Sequence, residues 1–398
     1  MYYVENHLRP EDPAGAIPFL KKAKQNPVSF YDVLHTHLSL YKAYTKLNNT
    51  IKAQATLKDL VQMVSTQPQF VDFLPFVEFI FEKMGMPMPE ITQTSCLLYA
   101  IHDTAKKENQ LFSVDLSIED FEVKPLGITP FSHEISLATA DFDGDGEDEI
   151  AIGAKEGGHT VTLYELTGTK IRSFPVSASG MSLAAGNLEG DEQPEIIVAS
   201  RAANRKSVLV YAAEGTALAP VTLFEQNTRM IPAVGDVDGD QKADIIAGRL
   251  LKEDQVAISN ASNQGLNPFS VFQSSVHKKG KGKAKGVTYG VNVALDDFDN
   301  DGKADIVAAQ SSKGSQIEIY SSTGELLNTF PAFESQKGVV VTVGNVVNDG
   351  QPEIIVGEAK GNLIRGFNLN GEQILEFQAV KSGTISSLAT FRCQEPES

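Results

Sequence analysis

The 398-residue chain has no tryptophan, two cysteines and no apolar run near the roughly 20 residues that a membrane-spanning helix needs. The cysteines, Cys96 and Cys393, are too few for a disulfide framework and lack the spacing of a metal site. They lie near the two ends of the second region of the chain, so a closing disulfide and two unpaired thiols both remain open. No basic segment followed by an apolar core begins the chain, so no signal peptide is visible.

Basic residues are scarce compared with acidic ones. The chain has 34 Lys and Arg against 51 Asp and Glu, a net charge of −17, and the first 110 residues hold 11 of each kind. The acidic surplus therefore lies beyond residue 110. A nucleic-acid binder needs a positive face to neutralise phosphates, so this function class is excluded.

Apolar residues recur at helical spacing between residues 10 and 85, with stops at Pro27, Pro68 and Gly85. This pattern predicts two helical hairpins in an all-α domain over residues 1–90, ended by a proline-rich hinge at 84–89. It loosely resembles a pair of tetratricopeptide repeats. Such a domain is either a helical cap or spacer, or a groove that binds a peptide.

Five acidic loops recur after residue 129: DFDGDGEDE from Asp141, NLEGDEQPE from Asn187, DVDGDQKAD from Asp236, DFDNDGKAD from Asp297 and NVVNDGQPE from Asn345. Their starts are 46, 49, 61 and 48 residues apart, and a short apolar strand such as EIAIG follows each loop. Most repeats continue with a strand, a glycine turn and another strand. Four short strands per repeat at this period are typical of a propeller blade.

The first, third and fourth loops carry Asp at positions 1, 3 and 5 and Asp or Glu at position 9. Several carboxylates within nine residues repel one another unless a cation neutralises them. Alternating hard oxygen ligands suit Ca²⁺ better than Mg²⁺, which prefers stricter octahedra and keeps several waters. The predicted ligands are Asp141, Asp143, Asp145 and Glu149; Asp236, Asp238, Asp240 and Asp244; and Asp297, Asp299, Asp301 and Asp305.

The second and fifth loops depart from this pattern. Glu192 stands at position 6 of the second loop, where Gly146 and Gly302 permit the bend of the first and fourth. Val347 removes the position-3 ligand of the fifth loop. Their remaining predicted ligands are Asn187, Glu189, Asp191 and Glu195, and Asn345, Asp349 and Glu353. We therefore expect three Ca²⁺ sites, and up to five if these loops also bind.

These loops and the strands after them resemble the FG-GAP or VCBS repeats, the calcium-binding blades also found in integrin α-subunit heads. The resemblance covers about two thirds of the chain and implies a β-propeller over residues 129–398, in an extracellular, cell-surface or periplasmic protein that acts in adhesion or assembly. That location is at odds with the absence of a visible signal peptide in this sequence. Some relatives of this family are attached to hydrolases or lyases.

The chain ends determine the number of blades. After five repeats, residues 383–390 resemble a first strand without an acidic loop, whereas 111–116 and 121–123 resemble strands with no loop before them. We therefore predict a mainly β fold with about six four-stranded blades. One blade is composite, and residues 91–128 form the linker and strands of that closing blade.

The sequence shows no catalytic constellation: the seven histidines form no metal signature, and H-E-x-x-H and G-x-S-x-G are absent. The predicted function is a non-enzymatic scaffold with a protein or glycan partner. The alternative is a secreted polysaccharide lyase or hydrolase that uses calcium structurally or to bind substrate. An insertion in the 61-residue repeat is either a solvated loop or a contact for an anionic partner, through Lys278, Lys279, Lys281, Lys283 and Lys285.

Overall fold

The structure is a computed structural model, and its description covers part of the chain. The described residues are 30–46, 56–57, 60–61, 77, 95–103, 105–117, 121–128, 132–191, 193–250, 254–260, 262, 268–272, 289–299, 301–379 and 383–393. The chain divides into two compact units, one of residues 1–93 with 347–351 and one of residues 94–346 with 352–398. Most of the predicted helical hairpins and all five lysines of the insertion lie outside the described residues.

In the first unit, helix α1 covers Phe30–Lys46. Leu34, His37 and Leu40 are buried at intervals of three residues, so they form the packed face of the helix. Lys46 lies in the last turn, where a cation interacts favourably with the helix dipole. This helix lies within the second helical segment that the sequence predicts.

The second unit contains six sheets, each of four antiparallel strands. Three strands precede the first repeat: β1 (Ser95–Asp103), β2 (Glu108–Val114) and β3 (Val123–Leu126). Blade 1 contains β4 (Ile135–Ala140), β5 (Glu149–Ala154), β6 (Thr160–Tyr164) and β7 (Lys170–Pro175). Blade 2 contains β8 (Met181–Gly186), β9 (Glu195–Ser200), β10 (Ser207–Tyr211) and β11 (Val221–Thr222).

Blade 3 contains β12 (Met230–Gly235), β13 (Asp244–Arg249), β14 (Gln255–Ser259) and β15 (Phe269–Ser270). Blade 4 contains β16 (Val291–Asp296), β17 (Asp305–Gln310), β18 (Gln316–Tyr320) and β19 (Leu326–Pro331). Blade 5 contains β20 (Val339–Gly344), β21 (Glu353–Glu358), β22 (Leu363–Phe367) and β23 (Gln373–Gln378). The last strand, β24 (Thr384–Arg392), joins β1, β2 and β3 in blade 6.

The first strand of each repeat is the inner strand of its blade. These strands contact one another in the order β4, β8, β12, β16, β20, β24 and again β4, which closes a ring. The second strands are buried except at the end residues of some of them, and Glu195–Ser200 is buried along its whole length. Both of their faces pack against neighbouring blades, so they are continuous apolar runs without alternation. The six-bladed propeller that the sequence predicts is therefore confirmed.

The hydrophobic cores lie between adjacent blades. One such core joins Val307, Ile317 and Phe330 of blade 4 to Ile354 and Phe367 of blade 5. The rings of Phe330 and Phe367 lie 5.1 Å apart, a distance at which aromatic pairs attract one another. Because each core is shared, a blade gains its stability from its two neighbours.

Blade 6 is composite, as the sequence predicts. Strand β24 from the end of the chain is its inner strand and pairs antiparallel with β1 from the beginning of the propeller unit. The sequence analysis places strands at 111–116 and 121–123 but none at 95–103. The segment SCLLYAIHD does not alternate between apolar and polar residues, because both of its faces are buried. No acidic loop precedes it, because no loop of the chain joins it to its inner strand.

A disulfide joins Cys96 of β1 to Cys393, the residue after β24, and decides between the two states that the sequence left open. In blades 1 to 5 an acidic loop connects the inner strand to the second strand at this position. In blade 6 the end of β24 and the beginning of β1 meet there instead, and the disulfide supplies the covalent connection across a sequence separation of 297 residues.

No helix among the described residues is long and apolar enough to span a membrane.

Because the disulfide links the strands that close the ring, we expect Cys393→Ser to lower the free energy of unfolding by about 2–4 kcal/mol. Denaturant unfolding followed by circular dichroism measures this difference. Adding dithiothreitol must lower the stability of the wild type to that of the variant and leave the variant unchanged. Equal stability of the oxidised wild type and the variant would contradict the prediction.

Candidate metal centres

The five acidic loops occupy equivalent places in the ring. Each loop begins where an inner strand ends and finishes on the first residue of the second strand, so the position-9 residues Glu149, Glu195, Asp244, Asp305 and Glu353 each begin a strand. Strand pairing aligns this residue with the last residue of the inner strand, as Ala140 with Glu149. The pairing therefore holds position 9 close to position 1 of the same loop.

The carboxylate at position 1 is the centre around which each loop folds. Asp141 accepts hydrogen bonds from the backbone N–H groups of Gly144 (2.7 Å) and Gly146 (3.0 Å). In the third loop Asp236 accepts the equivalent bonds from Gly239 and Gln241, both 2.7 Å long. Short polar side chains that bond to the backbone two to five residues ahead stabilise such turns.

The backbone of these loops is left-handed at two positions. At position 6 the φ angles are +97° at Gly146, +84° at Gly302 and +67° at Gln241. Gln241 shows that a side chain with a Cβ can also occupy this bend, where left-handed φ costs most residues energy. The sequence pattern indicates a bend only at position 6. Position 4 is left-handed as well, and the signal that could have shown it is the glycine in the first three loops: Gly144, Gly190 and Gly239.

The position-9 carboxylate is buried in every loop, with relative exposures from 0% to 6%. One of its oxygens accepts a hydrogen bond from the backbone N–H at position 2, as Glu149 Oε2 does from Phe142 at 2.7 Å. The other oxygen, Glu149 Oε1 in blade 1 and Asp305 Oδ2 in blade 4, is buried without a hydrogen-bond partner. An unpaired buried carboxylate oxygen is costly, and a bound cation would satisfy it.

Three loops bring their carboxylates together. Single oxygens lie within 4.8 Å of one another in each of three groups: Asp141, Asp143 and Glu149; Asp236, Asp238 and Asp244; and Asp297, Asp299 and Asp301. These loops are the three that the sequence selects. Asp145, Asp240 and Asp305, which are also predicted ligands, lie in the same loops but outside these close groups.

Burial and the charges of neighbouring carboxylates raise the pKa of carboxyl groups in the loops. Burial, followed by the charges of Asp143, Glu165 and Asp145, raises the pKa of Glu149 to about 7. Burial and the neighbouring loop carboxylates likewise raise the pKa of Asp244 to about 6. Because both pKa values are raised, these carboxyl groups lose their protons less readily in the folded loops than in the unfolded chain.

Two carboxylates outside the predicted set belong to the same neighbourhoods. Glu165 follows β6, and burial together with the charges of Asp143 and Asp145 raises its pKa. Asp296 is the last residue of β16, where burial raises its pKa to about 6. Asp296 adjoins Asp297 in sequence and could have been noted, whereas Glu165 approaches the first loop only through the pairing of β5 with β6.

The second and fifth loops retain part of this geometry. Asn187 accepts from the N–H groups of Gly190 (2.7 Å) and Asp191 (3.2 Å), and Glu195 accepts from Leu188. Among the described residues, neither loop gathers three carboxylates within 4.8 Å. Glu192 lies outside the described residues, and Glu189, Asp349 and the other predicted ligands of these loops remain predictions.

Neighbouring loops touch one another around the ring. The N–H of Ala243 donates to the carbonyl of Asn187 (2.9 Å), and the N–H of Ala304 donates to the carbonyl of Asp236 (2.6 Å). Blade 6 continues the series without an acidic loop, because the N–H of Ser95 donates to the carbonyl of Asn345 at 2.9 Å. The loops therefore lie at one edge of the ring, on the same face of the propeller.

Arg392 takes the place of the missing sixth loop. Its backbone N–H and its Nε donate to the carboxylate of Asp148 at 2.7 and 2.8 Å, and its Nη2 lies 3.4 Å from Asp141. Asp148 stands at position 8 of the first loop, where the other four loops have Ala or Pro. Because the carboxylate of Asp148 is mostly buried, this pairing connects the end of β24 firmly to blade 1.

Two segments match known sequence families. Residues 297–356 match the family described as FG-GAP-like repeat, and residues 135–164 match the FG-GAP repeat. Integrin alpha-PS2 of Drosophila melanogaster is 30% identical over 108 residues, which cover 24% of this chain and 7% of that protein. The chain thus spans a small part of this relative. These matches agree with the FG-GAP resemblance of the sequence.

Several solved structures resemble part of this chain in backbone structure. BBS1N, in a crystal of its complex with ARL6DN soaked with lead, is 15% identical, with 65% of this chain and 71% of that chain covered and a TM-score of 0.44. A protein of unknown function from Bacteroides caccae is 12% identical, with coverages of 76% and 100% and a TM-score of 0.48. Rhamnogalacturonan lyase YesW is 15% identical, with coverages of 68% and 59% and a TM-score of 0.38.

In metal-free protein, prepared over a chelating resin, we expect Glu149 to reduce stability as the pH rises. Its folded pKa of about 7 lies above its ordinary value of 4.5, so the folded state keeps a proton that the unfolded state releases. The contribution of Glu149 to the free energy of unfolding therefore falls between pH 4.5 and 7 and is level above that interval.

Thermal unfolding at pH 5 and pH 7.5 measures this effect. Glu149→Gln must show a smaller loss of melting temperature between the two values than the wild type does. The control is Glu325→Gln in an exposed turn, which must behave like the wild type. The prediction fails if wild type and Glu149→Gln have the same pH dependence.

Proposed function

We propose that the chain, a β-propeller built from FG-GAP repeats, is a calcium-stabilised scaffold that recognises another protein or a glycan and is not itself an enzyme. The observation that carries this proposal is the gathering of three carboxylates in each of three equivalent loops of the ring. In blades 1 and 3 the group includes the buried carboxylate that begins a strand, Glu149 or Asp244, whereas in blade 4 it consists of Asp297, Asp299 and Asp301.

Ca²⁺ is the cation that fits this donor set best. The loops offer only hard oxygen donors, and Ca²⁺ accepts six to eight of them in a flexible shell. In blade 1, Asp141, Asp143, Asp145 and Glu149 would hold the ion, and its charge would offset the burial and the carboxylate repulsion that together raise the pKa of Glu149. The corresponding residues in blades 3 and 4 would hold two more ions.

The role of the metal in this proposal is structural. An ion that binds the folded loop but not the unfolded chain stabilises the fold by mass action. It would also hold each loop in one conformation, and the hydrogen bonds that join the second loop to the third and the third to the fourth would extend this rigidity from loop to loop. A rigid face binds a partner at a smaller entropic cost than a mobile one.

Recognition, rather than catalysis, is the activity that such a ring supports best. The cores between blades are closed and apolar, and the loops at both faces are free to vary without loss of the fold. The resemblance to integrin α-subunits supports a role in adhesion or assembly outside the cell, at the cell surface or in the periplasm. We propose a protein or glycan partner for the ring, with the helical unit as a spacer or as a second recognition module.

We expect millimolar Ca²⁺ to raise the melting temperature of the metal-free protein, because each well-saturated site contributes about 2–3 kcal/mol at a hundredfold excess over its Kd. Isothermal titration calorimetry must find at least three sites. The double variant Asp299→Asn with Asp301→Asn must lose one site and keep the others.

The control for this experiment is Glu225→Gln, an exposed residue outside the five loops, which must bind like the wild type. Mg²⁺ at the same concentration must raise the melting temperature less. Identical melting temperatures with and without Ca²⁺ would refute the calcium sites and leave the propeller fold untouched.

Partner recognition is tested with the immobilised full chain on a glycan array and on detergent extracts of the source cells. We expect a partner that is retained with Ca²⁺ and lost in the metal-free state. A panel of anionic polysaccharides serves as the enzymatic control, followed by ultraviolet absorbance for lyases and by reducing ends for hydrolases. Calcium-dependent turnover on this panel would establish the alternative, a lyase or hydrolase, and refute the scaffold.

A further inference from the structure

A polar cavity lies along the axis of the ring, independent of the acidic loops. Its volume is about 240 Å³, and its walls come from all six inner strands, β4, β8, β12, β16, β20 and β24. Most lining residues are small or aliphatic, such as Ala138, Ala184 and Leu388. Lys155 is the only charged side chain among the residues that line it.

Polar side chains form one layer of this cavity. Ser136, Ser182 and Asn292 each follow the first residue of an inner strand and pair with equivalent residues of the second strand. Ser386 of β24 also lines the cavity, near the beginning of its strand. The hydroxyl of Ser136 accepts a hydrogen bond from the backbone N–H of Leu183 (3.0 Å), so its own proton is available to a further acceptor.

Lys155 lines this layer, and Arg201 contacts it through the lining residue Ser182. Lys155 donates from Nζ to the backbone carbonyl of Ser386, across the boundary between blades 1 and 6. Arg201 donates from Nη1 to the hydroxyl of Ser182 at 3.2 Å. Burial, followed by the charge of Arg201, lowers the pKa of Lys155 to about 8, because two like charges share a poorly solvated place.

These cations break the repeat pattern. The residue after the second strand bonds through its N–H to the residue before the inner strand: Lys155 to Glu134, Arg201 to Gly180, Leu250 to Arg229, Ser311 to Gly290 and Ala359 to Gly338. Blades 3, 4 and 5 thus have uncharged residues where blades 1 and 2 have Lys155 and Arg201. The pair is not required by the blade fold, since three blades form without it.

No carboxylate among the described residues forms an ion pair with either cation. Glu134 and Glu156 are exposed side chains whose charges act on Arg201, and Glu134 acts on Lys155 as well. Within the described part of the chain, neither cation forms an ion pair within 4 Å. Partly buried cations of this kind are stabilised by an anion that approaches them.

We propose that the axial cavity binds a small oxyanion, held by Lys155 and by the hydroxyl of Ser136, with the positive charge of Arg201 nearby adding to the attraction. A carboxylate or a phosphate presents the acceptor oxygens to which an ammonium and a hydroxyl donate, and its negative charge is attracted by a neighbouring guanidinium. The site is formed where blades 6, 1 and 2 meet, so its occupant connects the composite blade to its neighbours.

Asn292 favours oxyanions that also carry a hydroxyl group. Its Nδ2 donates to the carbonyl of Val339, and its Oδ1 is buried without a hydrogen-bond partner. Blade 4 lies opposite blade 1 in the ring, so this acceptor lies across the cavity from Lys155. A ligand with an oxyanion at one end and a hydroxyl at the other satisfies both sides.

The test compares acetate, glycolate and inorganic phosphate with chloride at constant ionic strength, by thermal unfolding and titration calorimetry of the full chain at pH 7. At least one oxyanion must raise the melting temperature and bind with a stoichiometry of one. Lys155→Met must weaken binding by about tenfold or more, which corresponds to the loss of one charged hydrogen bond. Arg201→Met must weaken binding less, because it removes a neighbouring positive charge. Lys155→Arg must keep most of the affinity.

The matched control is Lys170→Met, because Lys170 is an exposed lysine in the outer strand of the same blade. It must bind like the wild type. Above pH 8 binding by the wild type must weaken, since Lys155 then loses its proton while the charges of Arg201, Arg229, Glu134 and Glu156 stay unchanged. Tighter binding of glycolate than of acetate supports the role of Asn292, and equal binding removes Asn292 from the site.

A crystal structure of the wild-type protein with the tightest of these anions decides the matter even if a variant does not fold. The anion must lie beside Lys155 Nζ in the axial cavity. The proposal is overturned if no oxyanion binds, if Lys155→Met binds as the wild type does, or if the crystal places the anion elsewhere.

Discussion

The pairing of β24 with β1 is the interaction on which the rest of the structure depends. It converts an open row of blades into a ring, and the ring in turn creates the axial cavity and the continuous face of acidic loops. A strand pair that joins the two ends of a unit has to overcome a large loop-closure entropy. The disulfide between Cys96 and Cys393, together with the bonds of Arg392 to Asp148, reinforces that pair where no loop connects the strands.

Electrostatics set the condition under which the loop face is stable. Each full loop buries one carboxylate and leaves one of its oxygens or its charge poorly compensated, as Glu149 and Asp305 do. The backbone N–H groups supplied by left-handed glycines and by Gln241 offset part of the repulsion. The remainder is the repulsion that the Ca²⁺ ions proposed for this edge of the ring would offset.

The repeats share one backbone arrangement but differ in side chains at equivalent positions. These side-chain differences distinguish the blades from one another. Asp148 replaces Ala or Pro and binds Arg392, while Lys155 and Arg201 stand where other blades have Leu250, Ser311 and Ala359. All of these departures lie in blades 1, 2 and 6, around the closure. The part of the ring that contains the composite blade and its neighbours thus also carries these charged groups.

The sequence by itself determined the blade fold and the three full loops, because a period near 47 residues, alternating apolar runs and Asp at positions 1, 3 and 5 are local patterns. It also indicated the composite blade, from strands without loops at one end and an inner strand without acids at the other. It did not show β1, the disulfide, the approach of Glu165 to the first loop or the meeting of Lys155 with Arg201. Those features join residues of different strands and blades, and closure of the ring brings them together. Only the tertiary structure could decide them, since sequence spacing carries no information about contacts between blades.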